Sequence, residues 1–287
     1  MRIAVLRSAD RAGAFVSEIR KAGHSPVVCP LIDFEFPEST TAIDRSLSQW
    51  LAGEFEAAVF TSITTVRALK QRALELQESG ENIAWERPSG TLIAVGDPTR
   101  RALEAEDFAV DLMPPVQQSA EGILELLAQE PLNAAKGTTP RVFLPHANLA
   151  DPKLEAGLRD LGFEVSAVDA YLTVDAPADP ARRITAPLRV AGSGAGGVVI
   201  NEEVSALGPQ EFAAEVRAGK IGAVLLTSPS IARKFAALAG EVPASTQLVA
   251  IGKSTGAEIE DLGLRLAGIA ERPDAVSMLA VIDSQNL

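Results

Sequence analysis

The chain has 287 residues, of which 47% are hydrophobic and 22% charged, enough for two domains with cores of their own. A formal net charge of −12 speaks against a nucleic-acid-binding surface, which would need a basic patch. An anionic ligand would have to be held by local amides, hydroxyls and a few Arg or Lys, against the overall field.

No apolar run approaches the ~20 residues of a membrane span, so no membrane partner is expected. Residues 1–6 read directly as a strand with no signal-peptide pattern, and the single cysteine, Cys29, fits a reducing cytoplasm. His24 lies five residues from it and His146 more than 100, which gives no metal-ligand spacing, so no metal is expected.

In chain order, residues 2–6 predict a strand and 10–21 a helix with Asp10 as its N-cap. The turn Ala22-Gly23-His24 closes that helix before a second strand at 25–29. The runs at 57–60 and 92–95 are short, continuous and rich in Val, Ile and Ala. Without polar alternation they suit parallel strands buried on both faces. The first ends in Thr61-Ser62 and the second in Gly96-Asp97-Pro98-Thr99, and each leads into a helical pattern. Residues 141–144, 151–161 and 163–168 then repeat the opening strand–helix–strand, placing His146 opposite Arg7. The runs at 223–226 and 248–251 repeat the Thr-Ser and Gly-x-x-Thr series as Thr227-Ser228 and Gly252-Lys253-Ser254-Thr255.

This order predicts two similar open parallel α/β lobes. Residues 1–33 plus 173–287 form the first, and residues 38–169 are inserted as the second. Extended segments at 31–37 and 170–177 would act as a two-stranded hinge, with an active-site cleft between the lobes. Residues 178–220 fit this plan poorly. Glycines at 192–197 precede an apolar run at 198–200 instead of following one, which weakens a phosphate-loop reading. A flexible loop or an added hairpin suits the stretch better.

Hydroxyl residues at strand-to-helix junctions cap free N–H groups, and those donors with the helix dipole also make anion sites. Capping suffices for any single position; two matched pairs suggest hydroxyls and amides presented to a ligand.

The series resembles the uroporphyrinogen-III synthase family. The matching pieces are VFTS at 59–62, LLTS at 225–228, VGDPT at 95–99 and AIGKST at 250–255. RVFLPHA at 141–147, FEVSAVDAY at 163–171 and the ending at 263–282 add to them. The resemblance implies two flavodoxin-like lobes joined by a hinge, and a cytoplasmic, monomeric lyase without metal or cofactor. Its substrate would be hydroxymethylbilane, a linear tetrapyrrole with eight carboxylates, handed over from hydroxymethylbilane synthase. Closing it with inversion of ring D and loss of water gives uroporphyrinogen III, on the route to haem, sirohaem and cobalamin.

The same resemblance assigns Tyr171, the one tyrosine, as a weak acid assisting departure of water, with Thr255 as a second catalytic residue. A hinge residue packing between lobes is the other reading of Tyr171. Substrate carboxylates would be met by Arg7, Thr61, Ser62, Gly96, Thr99, His146, Thr227, Ser228, Gly252, Lys253 and Ser254. Where the family often has arginine after the strand at 141–145, this chain has His146, either a carboxylate donor or a solvated loop residue. The competing expectation is a non-catalytic tetrapyrrole- or anion-binding regulatory protein on the same scaffold. The absence of a basic segment near the end weakens a regulatory role on DNA.

Overall fold

The computed structural model describes residues 1–7, 9–130, 132, 138–189 and 205–284. The glycines at 192–197 and the apolar run at 198–200 lie outside them. The chain divides into two compact units. The outer unit comprises Met1–Asp33, Asp175–Pro177 and Val198–Leu287, and the inserted unit Phe34–Val174 and Ala178–Gly197.

The outer unit opens with β1 (Arg2–Val5), α1 (Ala9–Lys21) and β2 (Ser25–Val28). Helix α1 already includes Ala9, so Asp10 lies inside its first turn and is not its cap. The inserted unit contains β3 (Ile32–Glu35), α2 (Thr41–Leu51), β4 (Ala57–Phe60), α3 (Ile63–Glu78), β5 (Thr91–Ala94) and α4 (Asp97–Ala105). It continues with α5 (Ala120–Gln129), β6 (Arg141–Ala147), α6 (Lys153–Asp160) and β7 (Glu164–Asp175). The chain then completes the outer unit with β8 (Ser205–Ala206), α7 (Pro209–Arg217), β9 (Ala223–Leu226), α8 (Pro229–Ala239) and β10 (Gln247–Ala250). Its last elements are α9 (Lys253–Asp261), β11 (Leu266–Ile269) and α10 (Ala275–Ser284).

The sheets have the orders β11-β10-β9-β1-β2-β8 and β3-β7-β6-β4-β5. The run β10-β9-β1-β2 in one therefore corresponds to β5-β4-β6-β7 in the other. Each opening or closing strand–helix–strand supplies the centre of its sheet, and each Thr-Ser and Gly-x-x-Thr strand lies to one side. The central pairs are parallel, with Ala4 opposite Val224 in the outer unit and Ala58 opposite Phe143 in the inserted one. Internal similarity in the sequence thus becomes the same strand order twice, with all the strand-to-helix turns of a sheet at its carboxyl edge.

Burial explains the unbroken apolar runs. In the outer sheet Ala4, Val224, Leu226 and Leu248 join one core with Phe212, Ile231, Phe235 and Ile259 from α7, α8 and α9. The alternate residues Ile3, Val5, Leu225 and Val249 join another with Phe15, Ile19, Met278 and Ile282 from α1 and α10. Both faces are covered, so neither set can be polar. One face of the inserted sheet packs Val59, Ile93, Val142 and Leu144 against α5 and α6 through Ile123, Leu127, Leu154 and Leu158. Elsewhere in that unit Trp50 meets Phe60, Trp85, Phe108 and Phe143 with ring centroids 5.3 to 6.1 Å apart. Each fully buried Phe of this group contributes about 1.5–3 kcal/mol on burial.

Two parts of the sequence behave differently from expectation. Residues 209–217, within the poorly fitting stretch, form a regular helix whose Phe212 and Val216 are fully buried. They complete the outer unit beside β8, which pairs with β2. The segment Ala178–Arg189, expected in the first lobe, instead packs in the inserted unit. Ile184 N donates to Phe34 O at 2.9 Å, and the Gln71 amide oxygen accepts from Thr185 N at 2.7 Å and Ala186 N at 3.1 Å. Its far end is fixed by Glu106, whose carboxylate is 1% exposed. It accepts from Arg189 N at 2.6 Å and pairs with Lys70 at 2.9 Å. A buried charge is tolerated here because each oxygen has donors.

Candidate functional site

In the inserted unit the carboxyl edge of the sheet gathers Thr61, Ser62, Gly96, Thr99, His146 and Tyr171. Ser62 is the N-cap of α3, and its Oγ accepts from Thr65 N at 3.0 Å. The same oxygen lies 3.0 Å from Thr65 Oγ1 and 3.1 Å from the Tyr171 hydroxyl. The hydroxyl counts close if Thr65 Oγ1 donates to Ser62 and Ser62 donates to Tyr171, which leaves the phenol proton for another acceptor. Tyr171 sits in β7 because that strand runs on to Asp175, past the end expected at residue 168. It is 6% exposed, and its ring meets Phe34 edge to face at 5.5 Å and 87°.

Gly96 caps α4 without a side chain, and the first-turn donors are taken: Asp97 N donates to Gln118 Oε1 at 3.3 Å, Pro98 has no N–H, and Thr99 N donates to Gly96 O at 3.1 Å. Thr99 is not a cap: it is inside the first turn and 4% exposed. Asp97 occupies the positive end of this helix dipole and pairs with Arg100 and Arg101 at 2.5 Å. The Arg100 hydrogen bond, partly opposed by desolvation and helped by both arginine charges, holds the Asp97 carboxyl below the usual range.

His146 is the last residue but one of the central strand β6. Its Nδ1 lies 2.9 Å from Ala147 O and 3.3 Å from Asp169 Oδ1. Two acceptors on one nitrogen keep the proton on Nδ1. Thr61 and His146 line a pocket of about 430 Å³, with Val95, Leu144, Ala150 and Asp151 among its other walls.

The outer unit repeats the plan with different charges. Ser228 caps α8, accepting from Ile231 N at 3.2 Å, and lies 3.1 Å from Ser230 Oγ. Arg7, at the position matching His146, donates from Nε to Thr227 Oγ1 at 3.2 Å and lies over the Phe15 ring at 5.2 Å. Gly252 caps α9 with an extended backbone, and a Cβ there would meet nothing within 4 Å. Lys253 and Ser254 are exposed, and no acid stands in the first turn of α9. Thr255 is 1% exposed at the third helical position, so it shapes the turn from beneath. Together these make a turn suited to carboxylates.

The sequence left several wall residues of the pocket unnamed, and the loop 148–152 after β6 was their only signal. A larger cavity of about 640 Å³ lies at the amino ends of β10 and β11, lined by Arg217, Thr246, Leu248 and Arg265. It touches none of the strand-end hydroxyls. Among the described residues no three His, Cys, Asp or Glu side chains gather as a metal site requires. Among the same residues no helix is long and apolar enough to cross a membrane.

Comparison with known proteins agrees with this arrangement. A curated Synechococcus elongatus protein named uroporphyrinogen-III synthase is 26% identical over 140 residues, 49% of this chain and 50% of that protein. The match thus spans about half the length of that relative. Among solved structures, a mutant uroporphyrinogen III synthase from Thermus thermophilus has a TM-score of 0.58 at 17% identity, covering 100% of both chains. The uroporphyrinogen-III synthetase of Helicobacter pylori has a TM-score of 0.51 at 17% identity, covering 99% of this chain and 100% of that one. These two share the fold. Residues 13–280 match the family model HEM4, described as uroporphyrinogen-III synthase HemD, and the chain belongs to that family.

Proposed function

We propose that this protein is a uroporphyrinogen-III synthase, a cyclising lyase that converts hydroxymethylbilane to uroporphyrinogen III. The observation carrying the proposal is the family match over residues 13–280, in a chain whose two sheets both end in hydroxyl- and amide-bearing turns. Such turns suit a substrate with many carboxylates.

The reaction begins as the bond between the hydroxymethyl carbon and its oxygen breaks. The oxygen takes a proton and leaves as water, while the pyrrole nitrogen supplies electrons and loses its own proton, giving an azafulvene. Ring D attacks through its substituted carbon to form a spiro intermediate. Fragmentation and reclosure then invert that ring with no net oxidation. Tyr171 is the proposed donor to the departing oxygen, since a phenol is ordinarily neutral at pH 7 and carries a transferable proton. Ser62, capped into α3, holds the phenol in place. Arg7, Lys253, Ser254 and the turn amides at Gly252 are proposed to hold carboxylates, with Thr227, Ser228 and Thr255 shaping that surface. The remaining task is orientation, because unassisted closure would leave ring D uninverted. A cytoplasmic, monomeric protein receiving bilane from hydroxymethylbilane synthase completes the reading.

The test is an isomer assay. Hydroxymethylbilane is generated in situ with and without the protein, then oxidised and resolved into type I and type III uroporphyrins. A protein-dependent shift to type III is the expected result. Type I alone, with the bilane still bound, would identify a non-catalytic binding protein on this scaffold.

A further inference from the structure

The inserted unit's pocket is unlike the turns that suit carboxylates. Its volume, about 430 Å³, falls in the usual small-molecule range of about 300–1,000 Å³. Val95, Ala120, Leu144, Ala150, Pro152 and Leu154 give it apolar walls. No Arg or Lys lines it, and its charged groups are Asp151 and Glu155. Asp151 accepts from Lys153 N at 3.0 Å, and Glu155 pairs with Arg159 at 2.6 Å, so both side chains are held as acceptors.

His146 adds a third acceptor. With the Nδ1 proton directed to Ala147 O and Asp169, the neutral ring leaves Nε2 with a lone pair. Among the described residues nothing bonds that nitrogen. The corresponding position in the outer unit is Arg7, which can only donate. The two units therefore offer opposite hydrogen-bonding characters at equivalent strand ends. Two apolar side chains also stand exposed on the adjoining loops. Leu149 directly precedes the lining Ala150, and Val116 lies shortly before Ala120.

We infer that this pocket is a pyrrole-ring subsite, which takes one ring of the substrate by its N–H edge with His146 Nε2 as acceptor. The N–H edge of a pyrrole is flat and apolar and carries one donor and no acceptor, matching apolar walls with acceptors on the lining, while the ring's carboxylate arms lie on the opposite edge. A carboxylate would face Asp151 and Glu155 on the lining, while their partners Lys153 and Arg159, at 3.5 and 2.6 Å, stand outside it. His146 is thus a positioning residue that orients a ring, in place of the carboxylate donor its sequence position suggested. The inference rests on the proposed tetrapyrrole substrate, but small pyrroles test it without turnover.

The experiment titrates the full-length protein with 3-ethyl-2,4-dimethylpyrrole and with its N-methyl derivative at pH 8. Amide resonances of the pocket-lining residues are followed by NMR. Binding of the parent pyrrole is expected to perturb those residues, and N-methylation to weaken it about tenfold or more. His146→Phe should abolish the preference for the N–H compound, while thermal melting confirms that the variant is folded. Equal affinity for both compounds would reduce the pocket to an apolar hole, and absence of binding would also overturn the inference. If the pyrrole binds but type III product never forms, the subsite stands and the synthase reading falls. If type III product forms but neither pyrrole binds, the inference falls alone.

Discussion

Replacing Tyr171 by phenylalanine separates the catalytic and structural readings of that residue, and the structure fixes the structural cost. Among the described residues the phenol oxygen has one side-chain bond, to Ser62 Oγ at 3.1 Å. Ser62 keeps its bonds with Thr65 N and Thr65 Oγ1 after the change, so no buried group is orphaned. The Phe34 contact needs only the ring and survives. The loss is one neutral hydrogen bond, about 0.5–1.5 kcal/mol, or a few degrees in melting temperature for a chain of this size. Ser62→Ala should cost more. It removes the α3 cap, worth about 1 kcal/mol, and leaves a buried phenol unpartnered for about 1–3 kcal/mol. If Tyr171 donates the proton, Tyr171→Phe should lower turnover by about 10²–10⁴-fold with this small change in stability. Thermal and urea melts give the stability, and the rate of type III formation gives the turnover. A folded variant with unchanged turnover would remove Tyr171 from the mechanism. A drop of tens of degrees would refute the hydrogen-bond accounting itself.

Glu106→Ala should destabilise the protein by about 3–5 kcal/mol, because it strands Lys70 near a buried site and frees Arg189 N. Limited proteolysis should then cut within 178–189, and unchanged protection would contradict the anchoring role. Gly90→Ala should cost at least about 2 kcal/mol, since φ is +98° and a Cβ would lie 2.5 Å from Phe55 O. Gly252→Ala, in extended backbone with open space, should cost under about 1 kcal/mol while weakening substrate binding. Titration calorimetry with a tetrapyrrole carboxylate would show that weakening or its absence. Cys29 is buried and its pKa is pushed up to about 12 by desolvation. Iodoacetamide at pH 8 should therefore label the native protein only as fast as it unfolds. The raised value favours the folded state fully below the unfolded thiol's pKa. That stability should fall as pH rises from about 9 towards about 12, read from melts across the range.

The sequence by itself determined the repeated plan of the fold. Continuous apolar runs such as Ala57–Phe60 and Ala223–Leu226 can be stable only with both faces covered, which requires parallel strands between helix layers. Ser62 and Ser228 were legible as caps because a hydroxyl before a helix has a local task that needs no tertiary information. Tertiary structure decided what depends on contacts distant in sequence. Thr99 and Thr255, alike in pattern to the caps, are turned inward because α4 and α9 begin two residues before them. Helix α7 was hidden by the unusual composition around it, yet its buried Phe212 and Val216 complete a core formed by strands from both ends of the chain. The affiliation of Ala178–Arg189 rests on Gln71 and Glu106, partners more than 80 residues away, as in the 2.6 Å bond from Arg189 N to Glu106 across 83 residues. The acceptor character of His146 likewise comes from Ala147 and Asp169, brought to one nitrogen by the strand end. A linear sequence records which residues can donate or accept. Which atom is left over to meet a ligand is settled only when the neighbours have taken their share.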